Sequence, residues 1–148
     1  MATIKWAGSP TSRGTVLTTE LNALANNAFS AAGPAYNNTT NLDRWAWVEF
    51  VTGASITPTT GAVILVYMVH SPGGTNYDEG ASANNPGTHT LVSVLPLTVA
   101  AGTHRAISTT PFALPPSNVK FILKNQAGVA LAATLNTVTL YTSNESVA

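Results

Sequence analysis

The chain contains no cysteine and very few charges. Six of its 148 residues are Lys or Arg and six are Asp or Glu, so the formal charge sums to zero. Without thiols there is no disulfide framework and no cysteine-ligated metal site. Without net charge there is no electrostatic footprint for phosphate, which argues against nucleic acid as a partner. The charged fraction is 8%, where about 25% is usual for a globular domain. Disorder requires low hydrophobicity and high net charge, and 45% of these residues are hydrophobic. Long apolar runs are missing too. The longest, from Ala62 to Val69, is far short of the roughly 20 residues that cross a bilayer, so no membrane span is expected. No basic, apolar and small-residue leader opens the N-terminus, and folding in a cytoplasm is expected. A surface of Thr, Ser and Asn with balanced, sparse charge offers little repulsion between copies and favours association.

The length suits one domain, in which roughly 68–70% of the unfolded surface can be buried. Residues 1–13 read as an N-terminal arm anchored by Ile4 and Trp6 and broken at Gly8-Ser9-Pro10. Leu21, Leu24, Ala25, Ala28, Phe29 and Ala32 recur at three-and-four spacing, which predicts a short helix near 19–32 that Gly33-Pro34 stops. Asn22, Asn26 and Asn27 are poor helix formers, so that helix would depend on packing. The remainder is strand-like. Trp45, Trp47, Glu49 and Val51 alternate with Ala46, Val48 and Phe50. The run from Ala62 is apolar on both alternating faces and reads as a central strand. Residues 71–88 form a long Gly/Asn-rich loop, a candidate contact segment. Pro96 places the strand around 90–99 at an edge or a bulge. Phe121 and Leu123 share one face of the next strand, with Lys120, Ile122 and Lys124 on the other. Asn125–Gly128 reads as a hairpin turn leading to a strand at 129–133. The expected fold is mainly β, an antiparallel sandwich of jelly-roll type comprising residues 14–148, with one short N-terminal helix and the arm.

No motif for chemistry stands out. His70, His89 and His104 are widely spaced and show no ligand pattern. Asp78-Glu79 lacks the repeated acidic positions of a calcium loop. Ser117-Asn118-Val119-Lys120 matches a Ser-x-x-Lys pattern, but it follows Pro115-Pro116 into a strand rather than opening a helix. Pro111 and Pro115 have the minimal PxxP spacing inside a strand connection, which carries little weight. The six acidic residues nominate no glycosidase pair. No enzyme activity, cofactor or metal is expected. The aromatics are the remaining candidates. Trp45 and Trp47 share a strand face and Tyr77 lies in the long loop, so a core, a subunit interface or a sugar-stacking platform are the readings to separate.

The stretches Leu17–Asn26 and Tyr36–Leu42 carry a resemblance that continues through Gly74-Thr75-Asn76-Tyr77, Leu114–Asn125, Gly128–Thr134 and Asn136-Thr137-Val138. Together they resemble a family of small, β-rich, low-charge virion proteins of tailed bacteriophages. Trp45-Ala46-Trp47 is heavier in tryptophan than the family pattern, and Ser117-Asn118 stands where a glycine is common. The resemblance implies a structural protein of the particle, assembled in the host cytoplasm, most simply a capsid decoration or cement protein. It would bind the major capsid protein or other virion proteins and associate with itself, with a trimer favoured. A tail, neck or fibre component with a glycan-binding face is the alternative. The expected contact residues are Ile4, Trp6, Trp45, Trp47, Tyr77 and Asp78.

Overall fold

The computed structural model describes residues 3–78 and 86–147. It is 44% strand and 7% helix, so the fold is mainly β, and every pairing between its named strands is antiparallel. In chain order the elements are β1 (Ile4–Trp6), β2 (Thr11–Leu17), β3 (Tyr36–Asn37), the single-turn α1 (Asn38–Asn41), β4 (Trp45–Val51) and β5 (Val63–Ser71). There follow β6 (Leu91–Pro96), β7 (Arg105–Ile107), β8 (Phe112–Ala113), β9 (Asn118–Gln126), β10 (Thr137–Ser143) and β11 (Glu145–Val147). One sheet has the order β2-β10-β4-β7, with β8 also on β4; a second has the order β3-β9-β5-β6; β1 and β11 form a separate ribbon.

Alternation along the strands decides what is inside. Ala46, Val48 and Phe50 of β4 and Val138 and Leu140 of β10 join Ile64 and Val66 of β5 and Phe121 and Leu123 of β9 in one core. Both larger sheets therefore bury their inner faces in the same apolar cluster, the main stabilising term for such a chain. The second sheet buries part of its outer face as well. Tyr67, Val69 and Ile122 form a smaller cluster under Phe29, Ala32, Leu65 and Tyr77. That accounts for the unbroken apolar text of β5, and it puts Ile122 among fully buried side chains despite its lysine neighbours. β6 lies at the sheet edge and ends at Pro96, where a missing N–H does least harm.

The helix expected near 19–32 is not present. A single 3-10 turn covers Thr19–Leu21, and Ala23 and Asn27 then take positive φ of 51° and 63°. The chain runs on beside β9 instead. Asn27 donates to Asn125 O at 2.6 Å, Ser30 to Leu123 O at 2.8 Å and Gly33 to Phe121 O at 3.0 Å, so the edge of β9 is closed. The helical spacing misled because Leu21 and Leu24 serve the main core while Phe29 and Ala32 serve the outer cluster. Asparagine is also a poor helix former, and the Asn26 side chain accepts from Gly128 N at 2.9 Å instead. The hairpin expected at Asn125–Gly128 is also absent. Gly128 does take a positive φ of 80°, but residues 127–136 cross from β9 to β10 in the other sheet, and none of 129–133 is in a strand.

Buried amides organise the connections. Asn38 donates to Asp43 O (2.8 Å) and Pro115 O (2.9 Å) and accepts from Asp43 N (2.8 Å). Asn125 donates to Leu24 O (2.9 Å) and Val129 O (2.8 Å) and accepts from Ala127 N (2.9 Å). Asn136 donates to Leu21 O (3.2 Å) and Ala132 O (2.7 Å) and accepts from Gly53 N (3.2 Å). All three are at most 1% exposed. Asn136 and Gly53 also set a tight turn. A Cβ on Gly53 would collide with the Thr134 carbonyl and with Leu135, and Leu135 itself takes a φ of 62°. Left-handed backbone costs a side chain such as leucine about 1–2 kcal/mol. Leu42 takes the same conformation (φ 51°) as the cap of α1, its N–H donating to Asn38 O.

One ionic network is centred on a buried carboxylate, that of Asp43. Asp43 accepts from Arg13 Nη2 at 2.7 Å and from the Tyr36 hydroxyl at 2.6 Å, and Arg13 Nε donates to Thr142 at 2.7 Å. Burial pushes the Asp43 carboxyl up, but the hydrogen bonds from Arg13, Tyr36 and Thr142 outweigh it and hold the group below its ordinary value of 3.8. Burial and the Asp43 hydrogen bond push Tyr36 up to about 12.

Ile122→Ala should lower stability by about 2–5 kcal/mol, as Phe121→Ala should, because both side chains are fully buried on opposite faces of β9. A melting curve unchanged by Ile122→Ala would mean that the outer cluster does not form in solution. For Asp43, a depressed folded pKa contributes stability above the unfolded value near 3.8 and loses it as pH falls through the folded value. Asp43→Asn should therefore cost about 2 kcal/mol at pH 7 and flatten the acid limb of the stability profile below about pH 4. An acid limb of unchanged slope in the variant would remove Asp43 from acid unfolding.

Candidate functional site

The outer face of the β4 sheet carries the residues that its inner face excludes. Trp45, Trp47 and Glu49 point outward because Ala46, Val48 and Phe50 fill the core. The β1–β11 ribbon folds over this face. Ile4 pairs with Val147, Lys5 with Ser146 and Trp6 with Glu145. The Trp6 ring lies 6.2 Å from Trp45, edge to face, and 5.6 Å from Trp47. Glu145 fastens the ribbon, accepting from Trp45 Nε1 at 2.9 Å and pairing with Arg44 at 3.0 Å. The strand-face alternation thus meets the arm, and three tryptophans form one cluster. It is not sealed: Trp6 is 51% exposed and Ile4 67%.

Beside the cluster is a groove of about 270 Å³ lined by Pro10, Trp47, Glu49, Arg105, Ile107 and Tyr141. Its polar part is the Glu49–Arg105 pair, in which Nε meets Oε1 at 2.7 Å and Nη2 meets Oε2 at 3.0 Å. The two parallel contacts hold the guanidinium in a fixed plane. A hydrogen bond to Glu49, with burial second, pushes the Tyr141 hydroxyl up, so it stays protonated at neutral pH. Arg105 is raised through the same carboxylate, by hydrogen bonding first. The groove presents aromatic and aliphatic walls around a neutralised ion pair. That suits contact with an apolar side chain or the face of a sugar ring, and it holds no nucleophile next to a base.

The other sequence candidates lie elsewhere. Tyr77 packs on the outer cluster of the opposite sheet, with Lys120 Nζ 4.4 Å from its ring centroid. The structure therefore brings Trp6, Trp45 and Trp47 together, with Ile4 exposed on the same ribbon strand as Trp6, but leaves Tyr77 across the core, and no three-ring platform of Trp45, Trp47 and Tyr77 is assembled. Asp78 is exposed in the same loop as Tyr77. Glu79, its partner in the calcium reading, lies outside the described residues, as does the His89 side chain. His70 is exposed near the end of β5, and His104 is buried with Nε2 3.4 Å from Ile56 O. Among the described residues no group of three metal-ligating side chains converges. Ser117 is buried and Lys120 lies over Tyr77 on the outer side of β9, so the Ser-x-x-Lys spacing yields no catalytic pair. Glu49, Arg105 and Tyr141 were not legible as a unit. Their meeting depends on the register that sets Glu49 beside Ile107 and Thr139 and Tyr141 beside Trp47.

Among the described residues no helix is long and apolar enough to cross a membrane. No family profile, no curated protein and no solved structure matches the chain.

Trp6→Ala should shift the emission of Trp45 and Trp47 to the red and increase their quenching by acrylamide. The lost ring contacts should lower stability by about 1–3 kcal/mol, since each aromatic pair contributes about 0.5–1.5 kcal/mol beyond its buried area. Unchanged emission and quenching would show that the ribbon does not rest on this face in solution.

Proposed function

We propose that this chain is a structural protein of a tailed-phage particle, a capsid decoration or cement protein that works through protein contacts and catalyses nothing. Its two larger sheets are read as the layers of a jelly-roll-like antiparallel sandwich. The observation that carries the proposal is the half-exposed tryptophan cluster, held on an outer sheet face by a ribbon whose first strand, Ile4–Trp6, is exposed throughout. An exposed aromatic patch with a polar rim is the usual makeup of a protein-binding surface. The extended resemblance to phage virion proteins supplies the setting, and the partner would be the major capsid protein or another virion component. Few charges would have to be stripped of water on docking, which suits contacts repeated over a particle.

A second reading places the protein in the tail, neck or fibre with a sugar bound in the Trp47 groove. It is favoured by one observation: Trp47 and Tyr141 stand beside a fixed guanidinium–carboxylate pair that can meet hydroxyls. The two readings share one experiment. Cryo-electron microscopy of purified particles should show the protein on the capsid lattice with Trp6 and Trp47 at the contact, and Trp6→Ala should reduce its occupancy several-fold. Density confined to the tail, with binding on a glycan array abolished by Trp47→Ala, would replace the first reading by the second. Particles without the protein would remove both.

A further inference from the structure

Three connections lie at one end of the molecule, because each joins the second sheet to the first there. Residues 52–62 lead from β4 to β5, 97–104 from β6 to β7 and 127–136 from β9 to β10. The end is tied together by backbone bonds from Thr52 N to His104 O (2.9 Å), Ile56 N to Gly102 O (2.9 Å) and Thr59 N to Ala127 O (2.9 Å). None of the three connections contains Asp, Glu, Lys or Arg. Glu20 lies in the 3-10 turn that follows β2 at this end, and its carboxylate accepts from Thr18 N at 2.9 Å. His104 is the one other titratable residue within the connections, and it is buried.

Leu135 stands out in this setting. It is 77% exposed, more than any other large apolar side chain described. It also sits at a positive φ, where asparagine or glycine would be easier for the backbone. The turn is closely packed, since Gly53 leaves no room for a Cβ against its backbone and the adjacent Asn136 is hydrogen-bonded on both sides of its amide. Neither exposure nor backbone conformation gives the isolated chain a reason for leucine here. Val99 is 58% exposed in the neighbouring connection, followed by exposed Ala100 and Ala101.

We infer that this end is a self-association surface, and that its occupant is the same end of a second copy, with Leu135 as the anchor. Charge decides the choice of occupant. Around a closed symmetry axis, each residue near the axis faces its own counterpart, so any fixed charge there meets its like. The three connections, uncharged, meet that condition near the axis, with Glu20 in the adjoining 3-10 turn bonded to Thr18 N. It also offers no attraction to phosphate, a lipid headgroup or a charged peptide. The inference gives a location to the self-association included in the phage reading, yet it is tested on the purified protein alone. It can therefore fail while incorporation into particles holds, and the reverse.

The experiment is sedimentation of the full chain over a range of concentrations, with two variants. Wild type should self-associate reversibly. Leu135→Asn should weaken that association by about tenfold or more, the effect expected of a central apolar anchor. The same variant should melt at the same or a higher temperature when dilute, because asparagine accepts the left-handed backbone better. Ala54→Glu, at an exposed site in the first connection, should also block association, and added salt should partly restore it. A wild type that stays monomeric, or association untouched by both variants, overturns the inference. So does a lower melting temperature for dilute Leu135→Asn, because the leucine would then serve its own fold.

Discussion

Three buried side-chain amides hold this fold's connections in place. Asn38, Asn125 and Asn136 repeat one arrangement, with two carbonyls taken by the amide nitrogen and one N–H taken by the oxygen. Each buried loop carbonyl needs a donor, and leaving one unpaired costs about 1–3 kcal/mol. Many proteins meet some of that demand with arginine or lysine. Here neutral asparagines do so, and the connections can pack tightly without any ion being taken out of water. The sparse charge is thus a structural property before it is a functional one. The buried carboxylate of Asp43, paired with Arg13, likewise has a second donor in Tyr36, and Arg13 also reaches Thr142.

Where the amino-acid text was readable depended on whether the signal lay within one element or between distant ones. β4, β5 and β9 were legible because period-two alternation or a continuous apolar run is a signal contained within each strand. The segment at 19–32 was not. Its apolar residues repeat at helical spacing, but they divide between two clusters on opposite sides of one sheet. Only the pairing of that segment with β9, about a hundred residues distant in sequence, decides against helix. Ile122 was obscured for a related reason: its lysine neighbours mark a solvated face, while Phe29 and Tyr77 arrive from elsewhere to cover it. The turn after β9 contained a suitable glycine, yet Gly128 turns the chain toward the other sheet rather than back along its own.

The candidate site shows the same division. Trp45 and Trp47 could be placed on one face from alternation alone, and Ile4 and Trp6 could be named as an anchored arm. That the arm lies on that face depends on β11, which brings Glu145 to the Trp45 indole. Tyr77 was grouped with the tryptophans by residue type, and topology places it across the core. Leu135 left no trace in the pattern, because its significance comes from a backbone dihedral and a high exposure that composition does not report.

The pairing of β1 with β11 sets residue 4 beside residue 147. Anything joined to the protein at either end therefore leaves from one edge, next to the tryptophan cluster and away from the Leu135 turn. Closing the two ends with a short linker and opening the chain at an exposed turn should preserve the strand order. A bulky fusion at either terminus would crowd the aromatic face and leave the uncharged end clear. Labels for the two surfaces thus belong in different places: at the termini to obstruct the first, and in the connections to obstruct the second.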